Sequence, residues 1–494
     1  MESTYWAELH NHNEIGYGKG SLDRSYLLAG NLLDVYAFVP HGWWPDSPSE
    51  DPKVRDYHLN AFDAVRDSFP RVCAKANDSY EPGKFVALLG YGWHSSKWGD
   101  YHVLFPGSTG SLCRAADVRE LQQFVRSGQA LMIPHHCAYR AGWRGTAWDF
   151  WEADVSPVAE AFSEHGNSLE EESLVPLLNH SMGGSLRSQT ILAQLRLGRR
   201  MGLTAGTDNH YGHPASYGEG VTGIVAEELT RDAIFDALRS RHTFVVSGDR
   251  IDLRVRSGDR GMGDFLDAAA PRILDIDVAP LAPLEFVQVL KNGEPAAIWH
   301  GVQAGAPAAA RRLVRLEWGW GRLGSLELTD WRIRVTIRGG SLGRALPCLT
   351  GGAGSTELLN RIHPRSPQEL EIESFTSRLN PRPTSAAVLD MYCDPATAID
   401  VYVRANSNGV DHACEIHTTV GELEVADVTE PISQVFSAPK IRIGRPYASE
   451  ALRFRANWKD EHPGRDDFYM VKAQQRNGQC AWSSPLWFSA GQET

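Results

Sequence analysis

The spacing of apolar residues changes near residue 250, and that change limits the architectures open to the chain. Before it, short apolar runs alternate with helical patterns. Val35 to Val39, Phe85 to Leu89, Ala130 to Ile133 and Gly202 to Ala205 predict buried strands; helices are expected over 57–68, 117–127, 186–201 and 230–241. Such alternation points to a parallel α/β sheet or barrel. After residue 250 the pattern becomes strand-like, as in Asp252 to Arg256, Arg332 to Arg338 and Asp400 to Arg404. Lys291-Asn-Gly-Glu294 follows the run Phe286 to Leu290. Arg476-Asn-Gly-Gln479 separates Phe468 to Lys472 from Ala481 to Trp487. Asn-Gly between alternating runs predicts a tight hairpin turn. The expectation is therefore an α/β domain over 1–255 and an antiparallel β-sandwich over 256–494. A chain of 494 residues also suits two domains better than one. Loops are expected at 305–310, 350–356 and 380–385.

The composition excludes several classes of function. A net charge of −12 argues against a nucleic-acid backbone as partner. No apolar run reaches the roughly 18 residues of a membrane span, and the N-terminus lacks the basic and apolar regions of a signal peptide. The seven cysteines include no CxxC pair and their number is odd. A disulfide framework or zinc knuckle is not expected, and a reducing cytoplasm fits best. The expected partner is a small-molecule substrate, with a homo-oligomer left open.

Histidine placement carries the functional signal. Thirteen of the 18 histidines precede residue 243. His10 and His12 form Glu8-Leu-His-Asn-His12 at the end of a first strand, and His41 follows Val35 to Pro40. His94 and His102 follow the Phe85 strand, and His135 and His136 follow Leu131 to Pro134. His165 closes Val158 to His165; Asp208 and His210 follow Gly202 to Thr207. In barrels, loops after strand C-terminal ends converge on one face, where active sites sit. His-x-His on extended chain points both rings to one side. Imidazole and carboxylate are the usual ligands of zinc, manganese and iron. His58, His180, His213, His242 and the five later histidines fit no strand-end position and are expected to be structural or surface residues.

This ordered set resembles the PHP (polymerase and histidinol phosphatase) superfamily over roughly residues 3–250, and looks most like its branch of carbaryl-hydrolase-type metallohydrolases. The motifs are Glu8-Leu-His-Asn-His12, Val39-Pro-His41, Ile133-Pro-His-His136, Glu160 to His165-Gly-Asn167 and Gly206-Thr-Asp-Asn-His210. The resemblance implies a distorted (β/α)7 barrel holding one to three Mn, Zn or Fe ions. It also implies hydrolysis of phosphoesters or, in some members, carbamates. By motif, the implied metal ligands are His10, His12, His41, His135, His165, Asp208 and His210. His135 is preferred over His136 because it directly follows Ile-Pro.

Two departures from the family pattern stand out. Ile15-Gly-Tyr-Gly18 replaces an acidic residue after His-x-His, leaving Glu14 as the nearby carboxylate. Gly90-Tyr91-Gly92-Trp93 replaces a Gly-x-Glu whose Glu bridges two metals; His94 or Asp100 could compensate.

His102, His136 and Arg140 are candidates for catalytic side chains. Trp43, Trp44, His94 and Arg144 are candidates for substrate contact, since tryptophan can wall an apolar pocket and arginine grips phosphate or carboxylate. The leading expectation is a metal-dependent phosphoesterase. The alternatives are a carbamate, amide or ester hydrolase, and a metal- or ligand-binding protein impaired by Gly92. An amidohydrolase-type (β/α)8 barrel also opens with His-x-His, but the chain offers no convincing lysine ligand.

Overall fold

The structure is a computed structural model that describes residues 2–489 except 48–50, 172, 174, 179–183, 302–310, 320–327, 353–358, 380–381 and 435–437. The expected loop 305–310, parts of the other two, and His180 lie outside the described residues.

In the first half the strands are β1 (Ser3–Glu8), β2 (Val35–Phe38), β3 (His41–Trp43), β4 (Val86–Trp93), β5 (Asp100–Phe105), β6 (Leu131–His135), β7 (Val158–Ser163), β8 (Gly166–Asn167), β9 (Gly202–Ala205), β10 (Val221–Ala226) and β11 (Thr243–Val246). The helices are α1 (Leu22–Leu32), α2 (Pro52–Ser79), α3 (Val118–Ser127), α4 (Ile191–Arg196) and α5 (Arg231–Arg239). The helix expected over 186–201 is broken. Thr190 leaves the helical conformation and caps α4, its side chain accepting from the Ala193 amide. α2 begins earlier than expected, where Asp51 accepts from the Lys53 amide ahead of Pro52.

The strands line up as β6-β5-β4-β2-β1-β10-β11. β1, β2 and β4 are parallel, as expected from strand–helix alternation, but β5 returns antiparallel to β4 and pairs antiparallel with β6. The return is a short turn. The Asp46 carboxylate accepts from the Ser96 and Lys97 amides, and the Asp100 carboxylate from the Ser95 amide. β7, β8 and β9 form a separate three-stranded sheet. Among the described residues no backbone ladder joins β6 to β7 or β9 to β10. The Thr222 hydroxyl bridges the second gap, accepting from Ala205 N at 2.8 Å and donating to Ala205 O at 2.7 Å. Small residues on one face of the parallel strands (Ala7, Val35, Ala37, Val86) pack with Phe235 and Leu238 of α5. The alternate residues Tyr36, Phe38 and Leu89 pack with Leu28 of α1 and Val65 and Phe69 of α2. Period-two alternation thus covers both faces.

The second half is antiparallel throughout its two main sheets. Arg311–Gly319 and Thr384–Tyr392 lie within a six-stranded sheet, and Leu328–Arg338 and Ala398–Ser407 within a five-stranded one. Leu316 and Trp318 of the first and Ile333, Val335 and Val401 of the second belong to one core. The Asn292-Gly293 turn has φ of 54° and 80°, the primed geometry its sequence predicts. At Asn477-Gly478 only the glycine has positive φ, and the Asn477 side-chain amide donates to Asp249 Oδ2 at 2.8 Å. A further Asn-Gly turn, Asn408-Gly409, was not singled out from the sequence.

The halves share a seam. Cys480–Ser483 adds to the edge of β11, with Val245 opposite Trp482. Ser484 Oγ accepts from the Leu203 amide at 2.9 Å. Buried Asp249 accepts from Arg315, Tyr217, Gln475 and Asn477. Burial works against its charge, but Arg315 and these donors hold its carboxyl below the usual range. The loop after His210 is held in the same way: Asn360 Nδ2 donates to His213 Nε2 at 3.0 Å, and Tyr217 N to Leu349 O at 2.9 Å. All seven cysteines are free, and no described helix is long and apolar enough to cross a membrane.

Two predictions follow from the seam. Trp482 is 2% exposed and stacks on Phe162. Trp482→Ala should destabilise the first half by about 3–5 kcal/mol, the usual range for a buried aromatic, as read by urea denaturation. His213 is buried, and burial with the nearby Arg24 charge depresses its pKa to about 3. Between pH about 6.5 and about 3 the unfolded chain takes up a proton that the folded chain refuses. Stability is therefore fully present above about 6.5 and lost as pH falls towards about 3, by up to roughly 1.4 kcal/mol per pH unit. His213→Gln should flatten that slope; equal slopes in variant and wild type would contradict it.

Candidate metal centre

The strand order carries the histidines to one end of the sheet. β1, β2, β4, β6, β7 and β9 end on the same side, and β5, running the other way, starts there. The segments after β1 and β9 are joined by a bridge between Asn11 and Asn209, and Asp208 N donates to His10 O at 2.8 Å. Beneath them, buried Glu8 accepts from the amides of His10, Thr207 and Ala215, while burial pushes its own pKa up to about 7.

Asp208 is the centre of the cluster. Its Oδ1 lies 3.1 Å from His10 Nε2 and 3.0 Å from His12 Nε2; its Oδ2 lies 3.3 Å from His136 Nε2 and 3.2 Å from His165 Nε2. His210 Nδ1 is 3.6 Å from Oδ1. Around this carboxylate, His10, His102 and His135 form one group of converging donors, and His12, His41 and His210 another. His136 and His165 form a third with Asp208, and His94, Asp100 and His135 a fourth. Every ligand expected from the sequence is therefore in the cluster. His135 and His136 both enter it, in different groups.

The donors fit transition cations better than they fit one another. His12 offers two buried ring nitrogens with no hydrogen bond, although Nε2 is close to Asp208; the approach lies off the ring direction. His41 Nδ1, both nitrogens of His94, His102 Nε2, His135 Nδ1 and His136 Nδ1 are also buried without partners. So many orphaned polar atoms are costly unless an ion or water satisfies them. Donors sharing one tetrahedral ion at bonds of about 2.0–2.1 Å stand about 3.3 Å apart, the scale seen around Asp208. Supporting contacts are also in place. Glu160 Oε2 is 2.8 Å from His10 Nδ1, Tyr139 OH is 2.8 Å from His165 Nδ1, and Asp208 O is 2.8 Å from His210 Nδ1; each contact engages the Nδ1 nitrogen and fixes the ring's orientation.

The electrostatics agree. Burial holds His12, His41, His102 and His135 well below the usual histidine pKa, and His136 at about 3, so these rings are neutral, the form that binds metal. Burial also opposes charge on His10 and Asp208. Their mutual attraction outweighs it, raising His10 and lowering Asp208.

Gly92 sits in the floor of the cluster, in register with His41 on one side and His102 on the other. A Cβ at Gly92 would stand 3.0 Å from His94 Nε2, so the His94 ring occupies the space a side chain at 92 would enter. Asp100, behind it, is 3.5 Å from His94 Nδ1 and paired with Arg144 at 2.5 Å. Burial opposes the Asp100 charge, but Arg144 keeps its carboxyl well below the usual range. Arg144 also lies over the Trp44 ring. Trp43 faces the core with Phe62 and Arg114, Arg140 is exposed, and Glu14 points to solvent. Sequence reasoning did not single out Glu160, Tyr139 or Tyr17; His58, expected to be structural, stands 5.4 Å from the Tyr17 ring. Glu160 was visible at the head of its motif, while Tyr139 and Tyr17 reach the cluster only through loop placement.

Residues 192–270 match a family described as a protein of unknown function, DUF3604. An uncharacterized protein of Chlamydia pneumoniae is 22% identical over 271 residues, covering 50% of this chain and 43% of that protein. One of Chlamydia muridarum is 25% identical over 241 residues, covering 44% and 38%. The chain thus spans about two fifths of the length of the curated relatives it matches. A solved two-domain protein from Bacteroides vulgatus, containing a predicted PHP-like metal-dependent phosphoesterase, aligns over 92% of this chain and 96% of its own. The identity is 10% and the TM-score 0.31, a level that carries no inference.

Asp208→Asn keeps the shape of the side chain and removes its charge. After expression with added manganese or zinc, its metal affinity should fall by more than about 10-fold, the scale set by losing a supporting partner alone. Chelator competition and elemental analysis read this; unchanged affinity would refute the central place of Asp208.

Proposed function

We propose that the protein is a metal-dependent hydrolase of a small-molecule substrate, a phosphoesterase first, with residues 1–255 forming a distorted (β/α)7 PHP-type barrel and residues 256–494 a β-sandwich accessory domain. The observation that carries this reading is one buried carboxylate, Asp208, with imidazoles on both oxygens and unpaired ring nitrogens facing it. His10, His12, His41, His135, His136, His165, Asp208 and His210 would hold divalent Mn, Zn or Fe, with His102 and His94 as further donors. Such ions, when bound, polarise a phosphoryl or acyl oxygen and make water a better nucleophile near neutral pH. Asp208, touching both sets of donors, would hold neighbouring cations in register. Glu160 and Tyr139 would orient His10 and His165. Arg144, anchored by Asp100 and stacked on Trp44, would face the substrate.

A second reading, a metal- or ligand-binding protein without turnover, is favoured by Gly92, where the family's bridging glutamate is missing. The position of His94 supports an imidazole in its place.

The test is an assay of the manganese- or zinc-loaded full chain on a generic phosphodiester, a phosphomonoester and an aryl carbamate. Phosphoester hydrolysis that is lost with Asp208→Asn is expected. Turnover of the carbamate alone would move the assignment to the carbamate alternative. No turnover by wild type, with activity gained in Gly92→Glu, would establish the impaired reading.

A further inference from the structure

The loop between His12 and α1 presents one residue to the cluster. Glu14 N donates to Gly20 O at 2.9 Å and closes the loop, and Lys19 N donates to His210 O at 2.8 Å. Gly20, at φ 80°, has no room for a side chain: a Cβ would lie 2.7 Å from Tyr211 O. The loop is therefore clamped against the segment that carries His210, and Tyr17 stands at its tip between Gly16, at φ 117°, and Gly18. The Tyr17 ring stacks on His41 with centroids 3.7 Å apart and planes 26° apart. It lies 6.0 Å from the His210 ring and 5.4 Å from His58.

The Tyr17 hydroxyl has no hydrogen-bond partner among the described residues; Arg144 lies over Trp44, whose ring is 5.6 Å from His58, the same imidazole that stands beside Tyr17. A phenol ordinarily titrates at about 10, so at neutral pH it is an O–H donor. Arg144 uses Nε (2.7 Å) and Nη2 (2.5 Å) on a single oxygen, Asp100 Oδ2, and its Nη1 takes no part in that pair. The rim of the cluster thus offers two further donors, both suited to an oxyanion. A hydrogen bond to a charged oxygen is about twice as strong as one between neutral groups.

We propose that Tyr17 is a catalytic residue which, together with Arg144, donates hydrogen bonds to the oxygens of a phosphoryl group seated against the Asp208 cluster. This rests on the metal-dependent phosphoesterase reading above. It deepens that reading by selecting an anionic, several-oxygen reacting group over the single acceptor of a carbamate carbonyl.

The test uses the manganese-loaded full chain and inorganic phosphate as probe. Tyr17→Phe keeps the ring on His41 and removes only the donor. Elemental analysis should show unchanged manganese. Calorimetry should show phosphate binding weakened by about 10-fold or more, the loss of a hydrogen bond to a charged group. With p-nitrophenyl phosphate, kcat should fall in the same variant. Unchanged phosphate affinity and kcat in Tyr17→Phe would overturn the proposal while leaving the metal hydrolase intact. Loss of manganese in Tyr17→Phe would also overturn it, by making the phenol a support for the metal site. A manganese-loaded wild type that binds no phosphate would overturn both this assignment and the phosphoester reading. A wild type that holds no manganese would remove the metal centre itself.

Discussion

A carboxylate buried among imidazoles governs this structure. Asp208 is 2% exposed and sits at φ 55°, a left-handed backbone conformation that non-glycine residues adopt at a cost. His136, beside it, has the same φ. The strain is held by surrounding structure: Asp208 N on His10 O, Thr207 N on Glu8, Asn11 bridged to Asn209. Cations a few ångströms apart repel unless an anion lies between them. Asp208, with two histidines on each oxygen, has the placement such an anion needs, and the cluster is compatible with metal binding.

Gly92 gains a different meaning from this geometry. Read from the sequence it is a missing ligand. In the fold it lies between His41 and His102 on neighbouring strands, and His94 fills the space that its side chain would take. An imidazole backed by the Asp100–Arg144 pair stands where a carboxylate is expected. That exchange lowers the negative charge of the site and raises the demand on Asp208.

Much of this was legible in the sequence because it is local. Strand ends followed by histidine, as at Ile133-Pro-His-His136 and Gly206-Thr-Asp-Asn-His210, put these side chains on one face once the strands share a direction. Gly202–Ala205 was read to the residue. What was not legible depends on distant partners. Asp100–Phe105 returns antiparallel because its turn is tied to Asp46, over fifty residues earlier, and His102 thereby enters the floor rather than a loop. Cys480–Ser483 pairs with β11 across more than 200 residues, and no local pattern announces it. Asn477 and Asn292 sit in the same dipeptide but form different turns, and each side-chain amide donates to a distant aspartate, Asp249 and Asp467. Tyr17 looked like a substitution in a motif; only the fold of its loop onto His210 turns it towards the site.

Diffraction from crystals of the metal-loaded protein, collected at the absorption edge of the added metal, tests the central claim most directly. The account predicts at least one anomalous peak within about 2.0–2.2 Å of an Asp208 oxygen and within similar reach of two or more of the surrounding imidazoles. Loaded crystals with no anomalous density beside Asp208, or with the metal held elsewhere in the chain, would contradict it.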